Sequence, residues 1–369
     1  MKKILFLIPT LGGGGAERVL TNLVNTLDKS KFDVSVQTLF DCGVNKEALD
    51  KYVKYIPGKI KKQFRGNIYV LRLFSPKFLY KFFIKDKYDI IISYLEGPTA
   101  RIVSGCSDKN TKLVNWVHVE QKSLKAAAHA YRSKVEFLNC TDRFDITVCV
   151  AKTVENDFNN ITNNRYKTTV AYNTVLDGLI KSKAGEKLDD FVFSDGIKVI
   201  SVGRLVEEKG FDRLVSAHRK LLGLGIKHNI YVLGGGDKGN IQSLIEKNKV
   251  GDTFKLLGFK ENPYKYISKC DLFVCSSRRE GFSTAVTEAL ILGLPVVSTC
   301  CSGAYELLGE NNEYGIVTEN SENGIFEGLK LMLEKTENIS RYTEKAVERG
   351  SKFSSFETTS AVEKLLVNL

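Results

Sequence analysis

Short apolar runs alternate with longer amphipathic stretches along this chain, and the cycle occurs twice. The first cycle opens with an apolar run from Lys3 to Pro9 and a glycine loop, Gly12 to Gly15. A helix is predicted next, because Val19, Leu20, Leu23, Val24 and Leu27 recur at the spacing of one helical face. Further β-rich runs lie at 33–39, 89–93, 112–117, 145–150 and 168–171, with helical stretches between several of them. Polar residues from Lys181 to Asp190 read as a linker, and a new first strand follows at 197–202. The second cycle continues with a helix from about Phe211 to Leu222 and strands at 229–233, 253–257, 271–275, 295–298 and 314–317. Alternation of this kind predicts parallel sheets covered on both faces, hence an α/β chain of two doubly wound domains, 1–180 and 181–354. Open sheets of this class bind ligands beyond the carboxyl ends of their strands, so the residues just after each strand are the ones to inspect.

Composition narrows the picture. At 369 residues the chain is long for one core, and its 43% apolar and 26% charged residues are ordinary for a globular protein. The apolar stretch after Met1-Lys2-Lys3 is too short for a signal peptide, and no run approaches the roughly 20 residues that span a bilayer. A cytoplasmic protein is expected. The eight cysteines and four histidines are scattered without zinc-site spacing, so the thiols read as small buried apolar groups and no metal is expected. The net charge of +11 resides entirely in residues 1–180, which hold 28 Lys and Arg against 17 Asp and Glu. The remainder is neutral, so an anionic partner is expected for the first half alone.

Two segments carry candidate chemistry. Glu280-Gly281-Phe282-Ser283-Thr284-Ala285-Val286-Thr287-Glu288 follows a strand and enters a helix that Ser283 or Thr284 can cap and Gly293-Leu294-Pro295 ends. The free N-terminus of such a helix attracts a phosphate, and the two carboxylates suit sugar hydroxyls. Two ordinary surface glutamates on a capped helix would look the same. Gly203-Arg204-Leu205-Val206-Glu207-Glu208-Lys209-Gly210 also follows a strand. Arg204 can grip phosphate oxygens in pairs and Lys209 adds a compact charge, unless Glu207 and Glu208 simply balance both in a solvated loop.

Taken together these segments resemble the retaining glycosyltransferases of family 4, which have the two-domain GT-B fold. Leu257-Gly258-Phe259, Gly293 to Ser298 and Ser302-Gly303-Ala304-Tyr305-Glu306 fit the same pattern in order and spacing, and Gly13-Gly14-Ala16-Glu17-Arg18-Val19 resembles members that build bacterial surface polysaccharides. The resemblance implies a nucleotide-sugar donor, specifically a UDP-sugar, and a glycan or polyprenyl-diphosphate-linked acceptor, with no metal and no other cofactor. It implies that Arg204 and Lys209 hold the donor diphosphate, Glu288 the ribose and Glu280 the donor sugar. It further implies that the backbone of Phe282, Ser283 and Thr284 meets sugar and phosphate, and that Gly14, Gly15, Gly234 and Leu257 line the donor. His118, at a strand's carboxyl end, would reach the donor sugar from the first domain, across a cleft with a hinge near 173–190. A final helix over 355–369 is expected to pack back onto the first domain.

Two features stand apart. Gly234-x-Gly236-x-x-Gly239 is a formal dinucleotide fingerprint, which would suit an NAD-dependent oxidoreductase, but it follows its domain's second strand. A sugar-nucleotide epimerase of the same fold would convert the donor without an acceptor, and a non-catalytic sugar-binding subunit would bind sugar without turnover. Residues 54–88 hold ten Lys and Arg against the single acid Asp86, interleaved with nine aromatic residues. Lys59, Lys61, Lys62, Arg65, Lys77, Lys81 and Lys85 are the candidates there for acceptor or membrane contact. Such a mixture suits an anionic membrane surface better than nucleic acid, for which no recognised fold is present, and predicts a peripheral position on the membrane's inner face.

Overall fold

The residues from Ile4 to Ile8 are fully buried, as a strand flanked on both sides and covered on both faces must be. The computed structural model describes residues 1–64 and 66–369, and all their side chains except that of Thr336. In the first unit, β1 (Lys2–Ile8), β2 (Phe32–Thr38), β3 (Lys54–Ile56), β4 (Ile90–Ser93), β5 (Lys112–Val117), β6 (Ile146–Cys149) and β7 (Thr168–Val170) form one sheet in the order β3-β2-β1-β4-β5-β6-β7. Every pairing in it is parallel. The helix after β1, Gly15–Thr26, buries Val19, Leu20, Leu23 and Val24, the face that the spacing indicates.

The second unit repeats the design. Here β8 (Lys198–Val202), β9 (Asn229–Leu233), β10 (Phe254–Gly258), β11 (Leu272–Cys275), β12 (Val296–Thr299) and β13 (Ile316–Thr318) run in the order β10-β9-β8-β11-β12-β13, again all parallel. Twelve of these strands fall where the apolar runs lie. The exception, β3, has only three residues and begins on a lysine, too short to show an alternating pattern.

The chain divides into Met1–Thr174 with Ser355–Leu369, and Val175–Ser354. The last helix, Ser355–Val367, joins the first unit through specific bonds: Thr359 to Thr26 at 2.8 Å, Glu363 accepting from the Asp28 amide at 2.7 Å, and Lys2 donating to the Val367 carbonyl at 2.8 Å. The boundary lies at Thr174 rather than 180. The segment read as a linker holds instead the end of a helix, Asp177–Ala184, whose Lys183 and Ala184 carbonyls accept from Asn262 at 2.8 Å and Ser268 at 3.1 Å. All eight cysteines are free thiols, six of them buried.

A histidine pair is built into the second core. His228 Nδ1 donates to the Ile226 carbonyl at 3.0 Å, which leaves its Nε2 to accept from His218 Nδ1 at 2.8 Å. His218 Nε2 must then accept from the Thr253 hydroxyl at 2.8 Å. An added proton would set donor against donor. Burial, and secondarily the neighbouring His228 ring, pushes His218 down to about 3, and burial lowers His228 too. In the unfolded chain both take up protons near pH ~6.5, so the stability of the neutral pair is complete above that pH and is lost as pH falls. The His218 ring should cost about 1.4 kcal/mol per pH unit below that point, and His228 adds to the loss in the same direction. Urea unfolding at pH 7.5 and pH ~5, above the range where most carboxylates protonate, reads this directly. A flat profile would show that the pair is not neutral in the fold.

Candidate active site

Strand order reverses between β8 and β11 in the second unit, and the loops after these two strands carry the candidate charges. The two loops are bound to each other. Gly210 adopts φ +64°, and a side chain there would lie 2.2 Å from the Ser276 carbonyl, so only glycine permits the approach. Ser276 Oγ donates to the Lys209 carbonyl at 2.8 Å. The Arg278 amide donates to the Glu208 carbonyl at 2.7 Å, and its guanidinium reaches the Glu207 carbonyl at 2.9 Å. That guanidinium also grips Asp212 with two bonds of 2.7 and 2.6 Å. Arg213 closes the set by donating to the Ser276 carbonyl at 2.7 Å. Glu207 and Glu208 therefore serve through their backbone carbonyls, not as the counter-charges of Arg204 and Lys209.

On this frame Lys209 Nζ meets Glu280 Oε1 at 2.6 Å, and the same oxygen accepts from Ser277 Oγ at 2.6 Å. Burial alone would lower the Lys209 pKa, but the charge and hydrogen bond of Glu280 outweigh it, and the net shift is upward. The lysine stays charged. An ammonium has three protons to donate, so one can serve Glu280 while two remain for a second acceptor. Arg204 is exposed, and its guanidinium makes no hydrogen bond or ion pair among the described residues.

The helix after β11 begins as its sequence indicates. Ser283 is the N-cap of Thr284–Ile291 and accepts from the Val286 amide at 3.4 Å, while the first-turn amides of Thr284 and Ala285 point out of the helix unpaired within it. Phe282 is buried against Phe353, with ring centroids 5.6 Å apart, so only its backbone faces the loop. Glu288 is one helical turn on. It is only 6% exposed, and its Oε1 accepts from Tyr264 Oη at 3.1 Å.

The remaining candidates occupy different settings. Gly234 has φ +154°, and a Cβ there would strike the Gly203 carbonyl at 1.7 Å, while a Cβ at Gly236 would meet Leu205 at 3.1 Å. The formal dinucleotide fingerprint is thus where the loops after β8 and β9 cross. Leu257 is the residue skipped in the pairing of β10 with β9, half-buried at that strand's carboxyl end. In the first unit Gly14 is the N-cap of the helix Gly15–Thr26 and lies against the Glu17 carboxylate, while space beside Gly15 is open. His118 follows β5. Its amide donates to Glu96 Oε2 at 2.9 Å, its ring lies 4.8 Å from that of Tyr94, and its buried Nε2 has no hydrogen-bond partner among the described residues. Burial pushes it down to about 3, so the ring is neutral. No group of three or more His, Cys, Asp and Glu among the described residues could hold a metal ion.

Residues 13–175 match the family model described as Glycosyltransferase Family 4, and residues 187–349 the model described as Glycosyl transferases group 1. The chain belongs to the family 4 glycosyltransferases. A Campylobacter jejuni protein named N-acetylgalactosamine-N,N'-diacetylbacillosaminyl-diphospho-undecaprenol 4-alpha-N-acetylgalactosaminyltransferase is 29% identical over 96% of each chain. The structure of Anabaena HepE in complex with UDP superposes with a TM-score of 0.77 at 18% identity, covering the whole of both chains. Sucrose-phosphate synthase from Thermosynechococcus elongatus gives 0.79 at 16% identity, over 100% of this chain and 99% of the other. The glycosyltransferase accordingly has the GT-B fold.

In this glycosyltransferase the structure brings Lys209 and Glu280 into direct contact, where the sequence suggested separate duties for them. It also adds residues the motifs did not single out. Ser277 lies in a Ser-Ser-Arg-Arg run directly after β11, a position that the strand-end rule could have flagged. Tyr264 lies 24 residues before its partner Glu288 and gave no signal of its own.

Proposed function

We propose that the glycosyltransferase moves a sugar from a UDP-sugar to a glycan carried on a polyprenyl diphosphate, with the anomeric configuration retained, in the building of a bacterial surface polysaccharide. The observation that carries the donor half of this reading is the charged Lys209 held on Glu280, in the same loop as Arg204, which is unpaired among the described residues, at the switch point of the second sheet. There the two cations would take the donor diphosphate and stabilise the charge that develops as the nucleotide leaves. The diphosphate charge is assigned to these side chains, and no metal or other cofactor is needed. Glu280 would bond a hydroxyl of the sugar, and Glu288 the ribose. The open amides of Thr284 and Ala285 suit an anionic oxygen. His118, neutral and with Nε2 free to bond, is suited to a sugar hydroxyl. Retention would follow if the acceptor hydroxyl attacks the anomeric carbon on the face that the diphosphate leaves, giving its proton to the departing phosphate oxygen.

The acceptor and nucleotide draw on the relatives. The Campylobacter enzyme is named for an undecaprenyl-diphosphate glycan, and the HepE structure contains UDP. A screen of UDP-, GDP- and ADP-sugars with an undecaprenyl-diphosphate-linked glycan tests the whole reading. Transfer is expected from a UDP-sugar, unchanged by EDTA, with a product whose anomeric signal matches the donor's. An inverted product would overturn retention, and preference for another nucleotide would overturn the donor assignment.

A further inference from the structure

Of the nine aromatic residues in the basic stretch, the fold buries Phe83 and Tyr88 and leaves Phe64, Tyr69, Phe74, Phe78 and Phe82 exposed. Three of these form a row. Phe78 and Phe82 are four apart on the helix Pro76–Phe83, and Phe74 precedes Phe78 by four. Their rings stack in sequence, 5.1 Å between Phe74 and Phe78 and 6.4 Å between Phe78 and Phe82. Leu79 and Phe83 of the same helix point into the core, so the phenyl row lies on the flank that the core does not cover. Leu73, just before the helix, is 75% exposed.

This exposure is imposed from within. Arg101 is fully buried, paired with Glu136 at 3.0 Å, and donates to the carbonyls of Leu71 at 2.9 Å and Phe74 at 2.6 Å. Arg132 donates to those of Arg72 at 2.8 Å and Leu73 at 3.1 Å. Four consecutive carbonyls are thus held by two guanidinium groups, which fixes the direction in which Leu73 and Phe74 project.

Cations border the row. Lys77 and Lys81 lie one residue before Phe78 and Phe82 on the helix, and Lys59 sits over the Phe82 ring, 4.8 Å from its centroid. None of Lys59, Lys61, Lys62, Lys77, Lys81 and Lys85 is ion-paired among the described residues. Arg65 lies outside the described residues. Burial, and then the nearby charge of Lys85, lowers the Lys59 pKa.

We infer that the phenyl row of the helix Pro76–Phe83, with Leu73 and its bordering lysines, is the surface by which this chain docks on an anionic lipid bilayer. An apolar flank beside lysines that lack ion-pair partners among the described residues matches the acyl boundary and headgroup layer of such a membrane. A second copy fits poorly, because a two-fold contact would set unpaired lysines against their own kind. Nucleic acid would use the lysines but not rings already stacked on one another.

The test is sedimentation of the full chain at low ionic strength with vesicles of phosphatidylcholine alone or with about one-third phosphatidylglycerol. Because it reads binding and not turnover, its failure is separable from failure of the proposed reaction. Wild type should sediment with the anionic vesicles and not with the neutral ones. Phe78→Ser with Phe82→Ser should weaken that binding about tenfold or more, and Lys77→Glu with Lys81→Glu should do the same through charge. Both pairs are exposed, and unchanged melting checks the fold. Absence of wild-type binding, or binding at the wild-type level by either double variant, overturns the inference. So does a wild-type dimer, seen by sedimentation velocity, that the phenylalanine variant dissolves.

Discussion

Replacing Lys209 with Met is expected to lower kcat by about 10²- to 10³-fold, the size of effect seen when one donor to a developing negative charge is removed. On the proposed assignment of Lys209 to the donor diphosphate, the loss should fall on chemistry. The lysine is held charged by Glu280, with protons to spare for the leaving diphosphate. Met keeps the packing of the aliphatic stem, which lies 3.1 to 3.3 Å from where a Gly203 side chain would be. Glu280 would still accept from Ser277, so the loop should keep its course. Turnover should not fall with lysine deprotonation below pH ~10.5, because its pKa is raised, not lowered. A variant within threefold of wild-type kcat would show that Lys209 is only a structural partner of Glu280.

Glu288→Gln should raise the donor KM by about ten- to a hundredfold, because a neutral amide accepts hydroxyl hydrogen bonds more weakly than a carboxylate. Its oxygen can still accept from Tyr264, so melting should change little. Glu288→Ala loses both functions. It removes the acceptor used by a buried tyrosine hydroxyl, at about 1 to 3 kcal/mol, as well as the proposed ribose contact. Comparing KM and melting temperature across the two variants separates binding from support. Equal donor KM for wild type and Glu288→Gln would remove Glu288 from the donor site.

The strand pattern was legible because buried parallel strands read as near-continuous apolar runs: β1, β4 and β11 carry unbroken ones, and β5 and β8 are interrupted only by Asn115 and Ser201. The short strand β3 was not, because three residues with a basic start carry no period. The helix Thr284–Ile291 announced its cap and its end through Ser283 and Gly293, both local signals. What local pattern could not reveal was contact between distant residues. Glu280 lies 71 positions from Lys209, and nothing in either segment states that one carboxylate serves the other. Tyr264 was invisible for the same reason. The aromatic residues of 54–88 posed a third kind of problem. Composition showed that apolar and basic residues were mixed, but only packing separates Phe83, which closes the core, from Phe82 beside it, which does not.

The crossing of the loops after β8, β9 and β11 has a consequence for how such a protein can change. Gly210 and Gly234 each lie so close to a neighbouring backbone that a methyl group at either would force two loops apart, and Arg278 fastens the same loops by backbone and side chain together. The main chain along that edge is therefore hard to redraw piecemeal. Variation that survives there has to be written in outward side chains such as those of Glu207 and Glu208, one at a time, on a backbone passed down intact.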